Sequence, residues 1–251
     1  MNFIRMAMCC LCIGTSSAAE ILFDGSGADL WSAKKPLAAA DGVVKTDLSY
    51  VPMLSREFIP VKKDKKYTIS GEFRMTGQKV PMLYFGVVPY TEDGREIPFA
   101  AIQPAGPQIA VLTEEAAAGS RSVTLKNAAD WKFKATCRLA FHASPDKSDL
   151  PNLDLSPAIQ VSEIIFHPDH TVEVAFKSPL KKSYPAGTPV RMHLSGNSYI
   201  YAGYGNKKGE WMKFSRTYKS FYRGCAKIRP AISVMSAKYP VEFRNVKVSE
   251  E

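Results

Sequence analysis

The sequence lacks most of the features that announce a function. Beyond residue 19 no apolar run is long enough to cross a bilayer, which takes about 20 residues as a helix, so no membrane span is expected. There is no Gly-x-Ser-x-Gly elbow, no phosphate-binding glycine loop, no His-Glu-x-x-His helix and no pair of Cys-x-x-Cys motifs. The nucleophile, nucleotide and zinc chemistries tied to those patterns are therefore not indicated. Helical apolar spacing is absent over any long stretch, as is a repeat at the fixed periods of solenoids or propellers. Acidic residues are in deficit, 24 Asp and Glu against 33 Lys and Arg, for a net charge of +9. That excess permits an acidic partner such as an anionic polysaccharide, a lipopolysaccharide surface or nucleic acid. Because Lys and Arg are scattered, it reads equally well as ordinary solubility charge, and nucleic acid is not among the expected partners.

Cysteine is also scarce, five in 251 residues, and three of the five (Cys9, Cys10 and Cys12) fall in the first twelve positions. Residues 1–19 have the three parts of a secretory leader: one positive charge at Arg5, an apolar stretch from Met6 to Ile13, and small residues ending at Ser17-Ala18-Ala19. The three cysteines do not follow a Leu-small-small lipidation pattern, so they belong to the leader. The expectation is a signal peptide over 1–19 and a secreted or periplasmic mature chain over 20–251. Two cysteines remain, Cys137 and Cys225. In an oxidising compartment they can form one disulfide across a long loop, or stay as two separate buried thiols, and both readings are open.

What is abundant is period-two alternation, which predicts an all-β, antiparallel sandwich. From Lys65 to Met75 the apolar Tyr67, Ile69, Phe73 and Met75 alternate with Thr68, Ser70, Glu72 and Arg74. The same pattern recurs at Val172, Val174 and Phe176, at Val190, Met192 and Leu194, and at Ile228, Ile232 and Val234. Val241 and Phe243 are out of phase with Val246 and Val248, which calls for a β-bulge near Arg244-Asn245. Thr91-Glu92-Asp93-Gly94 is turn chemistry that would join a strand at 83–90 to one at 96–103 as a hairpin. The region of about 104–189 differs in texture, with an alanine-rich 114–119 and a proline- and aspartate-rich loop at 144–157. It reads as a small β subdomain inserted into the sandwich.

Three constellations carry possible chemistry. His167, Asp169 and His170 can be metal ligands or a polar hairpin turn. Asp146, Asp149 and Asp154 share one loop and can gather around a structural Ca²⁺, or simply cap turns in water. No catalytic residue is assigned. The most suggestive group lies between Arg191 and Tyr222. Arg191 and His193 have the polar parity of a strand, Tyr199 and Tyr201 share a parity just beyond it, and Tyr204 and Trp211 follow. Sugars show patches of C–H bonds ringed by hydroxyls, so flat aromatic faces beside hydrogen-bonding side chains suit them. Arg191, His193, Tyr199, Tyr201, Tyr204 and Trp211 are thus the expected ligand-binding residues, set against the packing role aromatics have in any sheet.

The runs Lys65-Lys-Tyr-Thr-Ile-Ser-Gly-Glu-Phe-Arg74, Tyr84-Phe-Gly-Val-Val-Pro-Tyr-Thr-Glu-Asp-Gly94, Glu210-Trp-Met-Lys-Phe-Ser215, Ala226-Lys-Ile-Arg-Pro230 and Val241-Glu-Phe-Arg-Asn-Val-Lys-Val248 resemble the carbohydrate-binding modules of families four and nine. The resemblance covers roughly 55–96 and 187–248. It implies a galactose-binding-like jelly roll with no catalysis of its own, presenting a polysaccharide, acidic or cell-surface, to one face. The intervening piece, including the segment 119–131, resembles an insertion in secreted bacterial proteins. Ile21-Leu-Phe-Asp-Gly25 with Trp31 resembles the opening of secreted sandwich glycoside hydrolases acting on keto-sugars. Two alternatives follow: a glycoside hydrolase or polysaccharide lyase on the same sandwich, and an interaction or scaffold protein of the cell envelope.

Overall fold

The computed structural model describes residues 19–33, 36–106 and 108–251. The expected leader lies outside the described residues except for Ala19. The chain is all-β, and every pairing between its strands is antiparallel. No helix among the described residues is long and apolar enough to cross a membrane.

Two sheets face each other. One has six strands, in the order Met212–Tyr218, Tyr67–Met75, Tyr239–Glu250, Val43–Leu48 and Ala38–Ala40, with Glu20–Asp24 also paired to Tyr239–Glu250. The other has five, in the order Ile200–Gly205, Leu83–Tyr90, Lys227–Val234 and Met53–Leu54, with Ile59–Pro60 also on Lys227–Val234. The alternation read from 65–75 is realised residue by residue: Tyr67, Ile69, Phe73 and Met75 are fully buried while their neighbours are half-buried. Leu83, Phe85 and Val87 enter the same core from the opposite sheet, and the Phe73 and Phe85 rings meet across it with centroids 4.7 Å apart. The Tyr239–Glu250 strand has the phase change that its pattern requires, a register shift between Arg244 and Lys247 with Asn245 at φ 52°.

The outer face of the six-stranded sheet is a ladder of opposite charges. Arg244 donates to Glu72 at 2.8 Å, Lys213 lies 3.5 Å from Glu72, Lys45 lies 3.2 Å from Glu242, and Arg74 pairs with Glu242. Cross-strand pairs of this kind add modestly to stability and keep the face soluble.

Residues 110–194 form a separate seven-stranded sheet with its own apolar core, which includes Leu125, Trp131, Leu139, Phe141, Val174 and Met192. The segment 154–160 hydrogen-bonds to both ends of this sheet. Ser156 and Ile159 donate to the carbonyls of Leu139 and Cys137, while Gln160 and Lys177 link the same segment to Val172–Ala175 and its continuation. The sheet thereby closes into a small barrel, which leaves few unpaired edges. The alanine-rich piece is extended at Ala116, which bridges to Tyr184.

One expected element differs. The Thr91–Gly94 turn closes, with Thr91 and Arg95 bonded and Gly94 donating to Thr91, but the returning arm pairs only at Tyr90 and Glu96 before a 3-10 turn at Phe99–Ala101. Pro98 has no N–H with which to extend the ladder. The Leu83–Tyr90 strand takes its partners from Lys227–Val234 and Ile200–Gly205 instead.

Candidate functional site

The outward side of the Leu83–Tyr90 strand presents Tyr84, Gly86, Val88 and Tyr90, the opposite parity to its core residues. Across it lies the edge strand Ile200–Gly205. Ile200 pairs with Val87 and Tyr201 with Gly86, after which the register shifts and Gly203 pairs with Phe85 and Tyr204 with Tyr84. The bulge at Ala202 therefore returns Tyr204 to the outer face beside Tyr201. Gly203 faces the core, where Phe214 of the opposite sheet sits so close that a Cβ would collide with its ring. Val88, Tyr90, Tyr199 and Ala231 make a small apolar cluster on the same outer face.

Tyr199 lies over Gly86, where a side chain would strike the Ile200 carbonyl and the Tyr199 ring. Its hydroxyl donates to the Ala231 carbonyl, with the Tyr84 carbonyl 3.2 Å away. Burial drives its pKa well above the ordinary tyrosine value, with the adjoining Tyr201 adding to the effect. On this buried ring stacks Tyr201, with centroids 4.9 Å apart and planes at 29°. Tyr84 lies 5.4 Å from Tyr201 and 6.3 Å from Tyr204. Tyr201 is 37% and Tyr204 65% exposed, so two rings face solvent beside the half-buried Tyr84, with the bonded Tyr199 beneath them. Tyr84 was not among the residues read from sequence. Its outward parity next to Phe85 is the signal that marks it.

The expected grouping of six residues is not observed. Arg191 and His193 were expected on an exposed face, and both are buried, at 3% and 0% exposure. Their strand, Pro189–Leu194, belongs to the barrel, and the side left polar by sequence is covered by the 144–153 loop and the turn at Phe99–Ala101. Arg191 donates to Asp149 Oδ2 at 2.7 Å, to the Ser144 carbonyl at 2.8 Å, and through Nε to His193 Nε2 at 2.8 Å. An imidazole that accepts at Nε2 carries its proton on Nδ1, a buried atom with no hydrogen-bond partner among the described residues. Burial first, and the Arg191 charge second, press the His193 pKa down to about 4, so the ring is neutral at physiological pH. Tyr199 was likewise expected to be exposed and is 7% exposed. The shared-parity expectation fails because 195–199 is not strand: it carries the chain from the barrel to the sandwich, with Gly196 against Phe99 and Ser198 bonded to Glu96.

Trp211 sits on the far sheet. Arg244 and Arg74 lie 4.1 and 4.7 Å from its ring centroid, and both are held by the charge ladder. It is thus engaged by cations rather than joined to the tyrosine cluster.

The remaining constellations are dispersed. Asp146 bonds Ser144 and Ser148, Asp149 bonds Arg191, and Asp154 bonds Lys182 at 3.0 Å. Hydrogen bonds from Ser144 and Ser148 hold Asp146 at about 2. Asp169 bonds Thr171 within the hairpin turn His167–Thr171. Among the described residues no three His, Cys, Asp or Glu side chains converge as a metal site. Cys137 and Cys225 are free thiols, one buried in the barrel core and one packed on the sandwich core.

Comparison of the chain with family models, with curated proteins and with solved structures returns no match to any of them.

Proposed function

We propose that the protein is an exported, non-catalytic carbohydrate-binding sandwich whose platform is Tyr84, Tyr201 and Tyr204, backed by Tyr199. The observation that carries this reading is the tyrosine cluster itself. Its rings are spaced at 5.4 and 6.3 Å on one sheet face, two of them open to solvent, with hydroxyls beside apolar surface. A sugar ring stacked on Tyr201 or Tyr204 would bury C–H bonds there and hydrogen-bond to the phenol groups and to exposed backbone of the edge strand. Because Tyr199 is bonded in place, little ordering is left to be done on binding. The resemblance to carbohydrate-binding modules of families four and nine, with their jelly-roll connectivity, points the same way.

Catalysis is the weaker reading. A cavity of about 720 Å³ at the edge of the six-stranded sheet is lined by Asp47 and Glu242, but each is ion-paired at 3.2 Å, to Lys238 and Lys45. Burial works to raise the Glu242 pKa, yet bonds from Arg74 and Lys45 outweigh it and hold the group below its ordinary value. A glycosidase general acid needs the reverse shift. An envelope partner is favoured by a different observation. Ile165 and Phe166, the edge strand of the barrel, are 50% and 56% exposed, and Phe133 lies edge-on at 6.3 Å from Phe166.

A glycan array probed with the mature chain tests the reading. Binding of at least one polysaccharide, reduced by Tyr204→Ala, is expected. No bound glycan, together with capture of an envelope protein that Phe166→Ser abolishes, would replace it.

A further inference from the structure

The positive charge is not spread evenly along the chain. Between Ile200 and Lys238 the sequence holds nine Lys and Arg and a single acidic residue, Glu210. This segment supplies the edge strand of each sheet, Ile200–Gly205 and Met212–Tyr218, and the two edges meet along one side of the sandwich. Met212 and Phe214 point into the core, and Arg216 has the same parity. At the open end of the sandwich its side chain turns across to the other sheet rather than off the outer face. There Arg216 Nη1 donates to the Tyr201 carbonyl at 3.3 Å, the Tyr218 hydroxyl donates to the same oxygen, and the guanidinium lies 5.3 Å from the Tyr218 ring centroid. Tyr218 in turn stacks on Phe221 at 5.5 Å. The tyrosine platform therefore continues round the edge through a cation into a second aromatic pair.

Arg216 differs from the cations of the charge ladder on its own sheet. Lys45, Arg74, Lys213 and Arg244 are each ion-paired to Glu72 or Glu242. Arg216 is exposed, and among the described residues no carboxylate lies within 4.0 Å of it. One of its donors is used to fix the side chain against Tyr201, which leaves other N–H groups of a planar fork free beside the platform. Such a fork matches the oxygens of a carboxylate or sulfate. An exposed arginine held by a backbone carbonyl and a ring, next to an aromatic platform, has lost part of its side-chain entropy before any ligand arrives.

We propose that the ligand of this platform is an anionic polysaccharide, bearing uronate or sulfate groups, and that Arg216 receives the acidic group of the sugar stacked at Tyr201. The proposal rests on the glycan-binding reading and narrows it. The surplus of basic residues in the same segment steers the polymer to this edge, and salt weakens the attraction.

Binding of the mature chain to dextran, dextran sulfate and polygalacturonate, at low and high salt, tests it. Wild type is expected to prefer at least one charged polymer over dextran. Arg216→Gln should reduce that preference about tenfold, on the scale of one charge-assisted hydrogen bond. Arg216→Lys should restore part of it, because the charge returns without the fork. If Tyr201→Ala weakens binding while Arg216→Gln leaves the preference for charged polymer intact, the glycan reading stands and the assignment to Arg216 falls. If dextran is preferred, or a single-stranded oligonucleotide binds as tightly as the charged polysaccharides, the assignment also falls. If none of the three polymers binds and the array shows no glycan bound at all, both readings fall together; a neutral glycan bound there with no acidic one removes the assignment to Arg216 alone.

Discussion

Tyr201 and Tyr204 are three residues apart in an extended strand and yet face the same side of the sheet, because the register slips by one residue at Ala202. In a regular strand residues three apart lie on opposite faces, so without the bulge one of the two rings would enter the core. The slip is supported from both sides. Gly203 makes room for Phe214 in the core, and Gly86 lets the edge strand and the Tyr199 ring approach the central strand. The platform thus depends on two positions without side chains as much as on the tyrosines.

Gly86→Ala should consequently damage both stability and site. Its Cβ would fall on the Ile200 carbonyl, a backbone atom that cannot move aside without breaking the edge pairing. The expected loss is about 2 kcal/mol or more, in the range of overpacked cores. Urea unfolding followed by tryptophan fluorescence measures it, and a midpoint equal to wild type would mean that the edge strand sits farther from Gly86.

The buried His193 makes stability depend on mildly acidic pH. Its pKa is about 4 in the folded protein against an ordinary value of 6.5. Above 6.5 both states hold a neutral ring and the contribution is complete. Between 6.5 and about 4 the unfolded chain gains a proton that the folded chain refuses, so stability falls by about 1.4 kcal/mol per pH unit at most. Glu72, Glu242 and Glu250 have lowered pKa values and act further into acid, which leaves the upper window to the histidine. Denaturant midpoints at pH 7 and 5.5 should differ in wild type and converge in His193→Gln; an equal drop in both would remove the histidine as its cause.

Cys137 and Cys225 sit in different cores as free thiols. Burial raises both pKa values, that of Cys225 to about 11, so neither is a reactive thiolate at neutral pH. Under native conditions both should label slowly with iodoacetamide, and unfolding without reductant should expose two reactive thiols in the mature chain. A mass increase of two hydrogens on reduction would instead demonstrate a disulfide.

Export should remove residues 1–19. The proposal is motivated by Arg5, the apolar stretch that follows and the Ser17-Ala18-Ala19 order. N-terminal sequencing of exported material should begin at Glu20, and a start at Met1 would refute the leader.

Strand identity was legible wherever one face of a strand is wet. Tyr67–Met75 alternates because its outer side chains reach only the charge ladder and solvent, and the phase change at Arg244-Asn245 declared its bulge. The same logic misplaced Arg191 and His193. Polar parity reads as exposed, but here a loop supplies Asp149 and the Ser144 carbonyl, which satisfy the arginine inside the protein. Period-two reasoning also assumed that the strand continued through 195–199, where the chain instead changes sheets. The bulge at Ala202 left no apolar phase signal, since Ala202 and the core-facing Gly203 carry no large side chain to mark either face. Tyr84 was hidden inside a strand buried along most of both faces.

The central claim is that Tyr201 and Tyr204 bind sugar, and isothermal titration of the double variant Tyr201→Ala/Tyr204→Ala against a glycan selected on the array tests it most directly. Tyr204 is 65% exposed and Tyr201 only 37%, with its ring stacked on Tyr199, so the variant should stay folded with a modestly lowered urea midpoint. The account predicts a loss of about 2 kcal/mol for the pair, roughly thirtyfold in Kd. An unchanged Kd in a folded variant would contradict it, and would place the binding surface of this protein elsewhere than on the five-stranded sheet.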